Sequence, residues 1–149
     1  MQLTLAYIGS SPGRKDVCEG LIQSYLERCS SFARCVEMPF RSEKVLLDWL
    51  ARQRARTPVV SVLLDSRGRQ MSSEAFAAWV GSRRDEGDQH LLFAVGPADG
   101  WSEEARSQAR LLLSLGPMTL AHALARLVMA EQLYRTFTIL TGHPYHKGH

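Results

Sequence analysis

The run Pro58-Val-Val-Ser-Val-Leu-Leu64 constrains the fold more than any other stretch of the chain. A strand with one face in water alternates apolar and polar residues, whereas this one is apolar almost throughout and rich in β-branched side chains. Such a strand has both faces covered, which is the situation of an interior strand in a parallel sheet between two layers of helix. Leu91-Leu-Phe-Ala-Val95 repeats the pattern. The segments around these two runs must therefore supply helices for both sides.

They do so in alternation. Residues 2 to 9 read as a strand ending at Gly9-Ser-Ser-Pro-Gly13, and Asp16 to about Arg28 carries Val17, Leu21, Ile22, Tyr25 and Leu26 at helical spacing. Residues 32 to 38 form a second strand that Pro39 ends, and Ser42 to Arg52 is an amphipathic helix. After the 58–64 strand, Asp65-Ser-Arg-Gly-Arg69 reads as a turn, and Ser72 opens a helix with capping chemistry. Ser102-Glu-Glu-Ala-Arg106 opens another, its acids complementing the helix dipole. A short strand at Leu111 to Leu115 leads into a long helix from about Ala121 to Leu140. Strands alternating with helices give an α/β sandwich with a mainly parallel sheet. With no linker, repeat or low-complexity tract, residues 1–149 read as one domain, large enough to bury roughly two thirds of its unfolded surface.

Composition narrows the class. Cys18, Cys29 and Cys35 are an odd number without a C-x-x-C pair, so neither a disulfide framework nor a zinc module is indicated, and a reducing compartment is the simpler reading. The first eight residues lack the basic flank and long apolar centre of a signal peptide, and no segment approaches a membrane span. A cytoplasmic protein without membrane contact is expected. Net charge is +3, and 15 of the 18 cationic residues are arginine, whose planar fork suits phosphate. Clusters at Arg52, Arg54 and Arg56, at Arg67 and Arg69, and at Arg83 and Arg84 suggest nucleic acid, although an arginine-rich surface of no function has the same composition.

In parallel α/β folds ligands bind beyond the carboxyl ends of the strands, which singles out residues 9–15, 38–43, 65–71, 96–101 and 115–121. Gly9 to Lys15 is not a nucleoside-triphosphate loop: its glycines are too close, and Asp16 stands where a magnesium-binding Ser or Thr belongs. No G-x-G-x-x-G follows the first strand. The three later strand ends, Leu63-Leu-Asp-Ser-Arg-Gly68, Ala94-Val-Gly-Pro-Ala-Asp-Gly100 and Ser114-Leu-Gly-Pro-Met-Thr-Leu120, all carry glycine, and the last is largely apolar. An apolar loop with free backbone groups suits a flat base such as adenine. At the far end, His143, His146 and His149 have no Asp, Glu or Cys beside them, so no metal site is expected. Histidine, tyrosine and lysine there suit the stacking and phosphate contacts of an RNA base.

Taken together, five ordered segments resemble one family: Leu63-Leu-Asp-Ser-Arg-Gly68, Val95-Gly-Pro-Ala-Asp-Gly-Trp-Ser102, Ser114 to Leu120, Ala130-Glu-Gln-Leu-Tyr-Arg135 and His143-Pro-Tyr-His-Lys147. The chain resembles, over its whole length, the RlmH type of ribosomal RNA large-subunit methyltransferase within the SPOUT superfamily. The resemblance implies a SPOUT-type sandwich whose C-terminal part is tied in a deep trefoil knot, which connection rules alone would not predict. It also implies a homodimer and S-adenosylmethionine bound in the knot, lined by Leu64, Gly96, Leu115, Gly116, Pro117, Met118, Thr119 and Leu120. The chain departs from the family pattern in two ways: Val95 replaces the first of two glycines, and Ala121 and Ala123 replace the prolines flanking His122. Cofactor binding is expected to survive both.

The reaction the resemblance implies is methyl transfer to N3 of a pseudouridine in 23S rRNA of the assembled ribosome. The donor is already activated, so alignment supplies much of the rate, but the N3 proton must leave. His122, His143 or His146 could accept it, Arg126 and Arg135 could stabilise the anion or hold phosphate, and Tyr145 belongs to the same set. A SPOUT methyltransferase for another rRNA or tRNA base, or a non-enzymatic ribosome-binding module of the same fold, stands as the alternative.

Overall fold

A computed structural model describes residues 1–10 and 16–148. The chain alternates β1 (Gln2–Ile8), α1 (Val17–Cys29), β2 (Arg34–Phe40), α2 (Glu43–Gln53), β3 (Val60–Gln70), α3 (Ser73–Asp85), β4 (His90–Val95), α4 (Glu103–Gln108), β5 (Leu111–Ser114) and α5 (His122–Thr141), then closes with a 3-10 turn at His146–Gly148. Four helices begin as the sequence suggests. Asp16, Ser42, Ser72 and Ser102 each accept a hydrogen bond from an amide in the first turn of the helix that follows.

The five strands form one sheet in the order β2-β1-β4-β3-β5, and every pairing is parallel. Alternation along the central strands builds two cores. Leu91, Phe93 and Val95 of β4 and Leu3, Leu5 and Tyr7 of β1 face one side, against Ile22 and Leu26 of α1, Phe76 and Val80 of α3, and Met129, Leu133 and Phe137 of α5. Leu92 and Ala94, with Ala6 and Leu63, face the other side against Leu46 and Leu50 of α2 and Ala105 of α4. This is the doubly covered sheet that the 58–64 and 91–95 runs require.

Two expectations change. Pro39 does not end β2 but lies inside it, in register with Tyr7, and Phe40 is the last residue. β2 is an edge strand, so the missing proline N–H removes no bond the sheet needs. Residues 65–69, expected as a turn, continue β3. Leu113 of β5 pairs first with Leu64 and again with Arg69, with a register shift between them. Gly68 makes that crossing possible: a Cβ there would lie 2.6 Å from the carbonyl carbon and oxygen of Leu112. The turn-like composition Asp-Ser-Arg-Gly thus reflects a close passage of two backbones.

Candidate functional site

The ends of β4 and β5 meet the register shift within β3 at the carboxyl edge of the sheet. Leu64, Asp65 and Ser66 come from β3, Val95 and Gly96 from β4, and Leu115, Gly116, Met118, Thr119 and Leu120 from the segment leaving β5; with Leu113 and Ala125 they line a groove of about 210 Å³. A second cavity of about 240 Å³ adjoins it through Leu113, Leu115 and Gly116, and runs between the β3–α3 junction and Val128, Met129 and Gln132 of α5. Together they reach the lower part of the roughly 300–1,000 Å³ range of small-molecule sites.

The groove's lip is apolar in its side chains and polar in its backbone. Met118 is 83% exposed, and among the described residues the main chain of Met118, Thr119 and Leu120 finds no partner in the backbone hydrogen bonds of the turns and loops. Exposed groups of this kind are open to water or to a ligand. Gly116 sets the bend with φ 125°, and the Ser114 hydroxyl holds it by accepting from the Gly116 amide at 3.1 Å and donating to its carbonyl at 3.2 Å.

His122 opens α5 two residues after Leu120 of the groove wall and is not itself among the groove-lining residues. Its ring stands edge-on to Tyr7, centroids 6.0 Å apart, and Tyr7 lies in register with Val95 of the groove wall. Burial and then the nearby Arg126 charge push the imidazole below its ordinary pKa, against a hydrogen bond with the Ile8 backbone. A neutral imidazole at physiological pH can accept a proton.

Arg126, one turn further on, is 2% exposed. Its Nη2 donates to Glu19 at 2.8 Å and to Glu37 at 2.6 Å, and its guanidinium carbon lies 4.0 Å from the centre of the Tyr7 ring. Burial lifts the Glu37 carboxyl to about 7, against the attraction of Arg126. Glu19 falls below its ordinary range because hydrogen bonds to Glu37, Gln23 and Arg126 outweigh burial.

The C-terminal tail folds back on α5. Gly142 ends the helix at φ 72°, and the His143 amide caps it on the Thr138 carbonyl. Tyr145 donates its hydroxyl to Glu131 at 3.0 Å and packs edge-on against Tyr134. Arg135 binds Glu131 through two nitrogens and donates Nη1 to His146 Nδ1 at 3.0 Å. Because arginine only donates, Nδ1 accepts, and His146 Nε2–H donates to Glu74 at 2.7 Å. The stretch of α5 between His122 and Arg135 is about 20 Å long at 1.5 Å per residue, which separates the groove rim from the tail cluster.

A family model described as "Predicted SPOUT methyltransferase" matches residues 1–146. This chain belongs to the SPOUT methyltransferase family. It is 46% identical over 149 residues, all of both chains, to "Ribosomal RNA large subunit methyltransferase H" of Koribacter versatilis (strain Ellin345). It is 54% identical to the Brucella ovis (strain ATCC 25840 / 63/290 / NCTC 10512) protein of that name over 87 residues, which are 58% of this chain and 52% of the relative. Among solved structures, the SpoU methyltransferase AviRb from Streptomyces viridochromogenes superposes with a TM-score of 0.52 at 19% identity, covering 95% of this chain and 60% of that one. That likeness shares the fold.

In this SPOUT methyltransferase the expected residues fall into three groups. Leu64, Gly96, Leu115, Gly116, Met118, Thr119 and Leu120 come together on the groove wall, while Pro117 forms the bend without lining it. His122 stands against Tyr7, beside the groove wall but not among its lining residues. Arg135, Tyr145 and His146 form the tail cluster, with His143 beside it accepting from the Tyr145 amide at 3.1 Å. Arg126 is not among the groove-lining residues: it is buried, and its Nη2 is shared by two carboxylates. Arg83 is likewise drawn inward, paired with Glu86 and Asp88 instead of facing solvent. His149 and residues 11–15 of the first loop lie outside the described residues. Sequence reasoning gave no role to Trp101, Glu74 or Glu131. Glu131 and Trp101 sit inside family-like segments, which is the signal that could have marked them; Glu74 has no such mark.

Proposed function

We propose that this methyltransferase uses S-adenosylmethionine to methylate N3 of a pseudouridine in 23S rRNA, acting on assembled ribosomes in the cytoplasm. The full-length 46% identity to a large-subunit rRNA methyltransferase carries the reading. The groove supports it independently, because an apolar lip with unpaired backbone groups suits an adenosine. When bound, S-adenosylmethionine supplies a methyl group on a positively charged sulfur. The chain's own residues then have two tasks: Gly116 and the 118–120 backbone hold and orient the donor, and His122, neutral beside the groove wall, accepts the N3 proton.

Of the three candidate bases, His122 fits best, since both ring nitrogens of His146 are engaged and His143 is tied to the helix end. Arg135 and Tyr145 order the tail, whose remaining surface is suited to RNA. The knot belongs to the same reading, supported by the double pairing of Leu113 and the close passage of Gly68 over Leu112. So does a homodimer: Val17 and Leu21 of α1 and Leu124 of α5 are large apolar side chains left 87%, 54% and 46% exposed.

The test is incubation with methyl-labelled S-adenosylmethionine and ribosomes lacking the modification. Label recovered in 23S rRNA supports the proposal, and ribosomes left unlabelled by a folded, cofactor-binding protein contradict it.

A further inference from the structure

Trp101 lies just outside the groove, at the end of the loop from β4 to α4, and is 5% exposed. Its indole Nε1–H donates to the Leu64 carbonyl at 2.9 Å. Leu64 ends the part of β3 that pairs with β4, where it lies in register with Val95. The same indole fills the space above Gly96: a Cβ on that glycine would lie 2.7 Å from Nε1 and Cε2 of the ring. One side chain therefore touches both walls of the groove, β3 through a hydrogen bond and β4 through contact.

The loop carrying Trp101 is itself anchored. The next residue, Ser102, gives its amide to Glu43 of α2 at 2.8 Å and its hydroxyl to the same carboxylate at 2.5 Å. Arg106, one turn into α4, reaches back to Asp65 at 3.2 Å. The indole is thus fixed from behind and aimed at the junction of β3 and β4.

We infer that Trp101 is a positioning residue that sets the width of the cofactor slot by tying Leu64 of β3 to Gly96, the residue that follows β4. The inference rests on the groove being the S-adenosylmethionine site. With the Leu64 carbonyl occupied by the indole, Leu64 faces the cofactor with its side chain and not with that oxygen. Without the indole N–H the Leu64 carbonyl loses this donor, and the wall it forms is no longer tied to the Trp101 loop.

The experiment compares wild type, Trp101→Phe, Gly96→Ala and the double variant by calorimetry with S-adenosylmethionine and by initial rates on ribosomes, with melting temperature as the check on folding. Trp101→Phe keeps an aromatic ring but removes the N–H; the expected result is affinity weakened roughly five- to tenfold, KM for the cofactor raised equally, and kcat at saturation unchanged. Gly96→Ala pushes against the indole and also weakens binding, and because the smaller ring relieves that clash, the two losses are less than additive in the double variant. Trp101→Phe binding as wild type does, or strictly additive losses, overturns the inference. Wild type that binds no S-adenosylmethionine overturns instead the reading on which it rests.

Discussion

The two ends of α5 are built on opposite plans. At the N-terminal end the groove is shaped by backbone: a glycine at φ 125°, a proline bend and three residues whose amides and carbonyls have no backbone partner among the described residues. At the C-terminal end the tail is held by side chains, with Glu131 receiving Arg135 and Tyr145 while His146 bridges Arg135 and Glu74. Unpaired backbone groups are ready to meet a ligand. A saturated side-chain cluster has few bonds left to offer and serves to keep the segment in place.

The largest effect expected from this contrast is at Gly116. Nothing lies within 4 Å of a Cβ added there, so bulk alone is tolerated, but φ 125° is a conformation L side chains rarely adopt. Gly116→Val should move the bend and abolish measurable S-adenosylmethionine binding in a protein that still folds. Calorimetry showing unchanged affinity would break the claim that backbone shape makes the groove.

Arg126 comes next, and it shows that the groove end also depends on side chains beneath its surface. Arg126→Met removes the cation shared by Glu19 and Glu37 while preserving much of its volume. Leaving two carboxylates close together and partly buried should cost about 3 kcal/mol in urea unfolding. Arg126 holds Glu37 down against burial, so its removal raises that carboxyl above about 7; the loss should be largest in alkaline solution and shrink as pH falls towards neutrality, where Glu37 of the variant takes up a proton. A loss below about 1 kcal/mol would mean that the pair of carboxylates does not need its cation.

His122 tests the chemistry separately from the architecture. His122→Ala should lower kcat by about a hundredfold with cofactor affinity retained. The pH profile follows from the sign of the shift. The folded pKa lies below the ordinary 6.5, so the imidazole is neutral above that value, and the rate should be flat near pH 7 and fall only in more acid solution. The same shift favours the folded state at neutral pH and withdraws that support as acid protonates the ring. An acid limb that persists unchanged in His122→Ala would assign the proton to another group.

Tyr145→Phe should have the smallest effect. It removes one hydroxyl from Glu131, which keeps Arg135, so a loss of about 1 kcal/mol confined to the tail is expected. Hydrogen exchange should quicken at residues 143–148 and not in the groove. Faster exchange at both ends of α5 would show that the two regions are one unit.

Sequence alone reveals the groove end better than the tail, for a physical reason. Glycine and proline declare backbone geometry locally, so the three later strand ends stood out as loops to inspect, and the resemblance of those segments to the family then implied Leu64, Gly96 and Leu115 to Leu120 as the lining. The two-sided sheet was equally legible in the 58–64 and 91–95 runs, whose alternate residues divide between the two cores. Charged side chains declare nothing about their partners. Arg126 and Arg135 look alike in sequence, yet one lies beneath Tyr7 between Glu19 and Glu37, contributed by α1 and β2, and the other joins a cluster with the tail. Residues 65–69 mislead for a related reason: glycine there serves a close passage between strands that only long-range pairing reveals.

The most direct test of the central claim is to map the methyl group by mass spectrometry of 23S rRNA, after reacting wild type and His122→Ala with ribosomes that lack the modification. The account predicts one methyl on N3 of a pseudouridine with wild type, and the same product formed about a hundredfold more slowly with the variant. A methyl on any other base, or on free rRNA in preference to ribosomes, would contradict it.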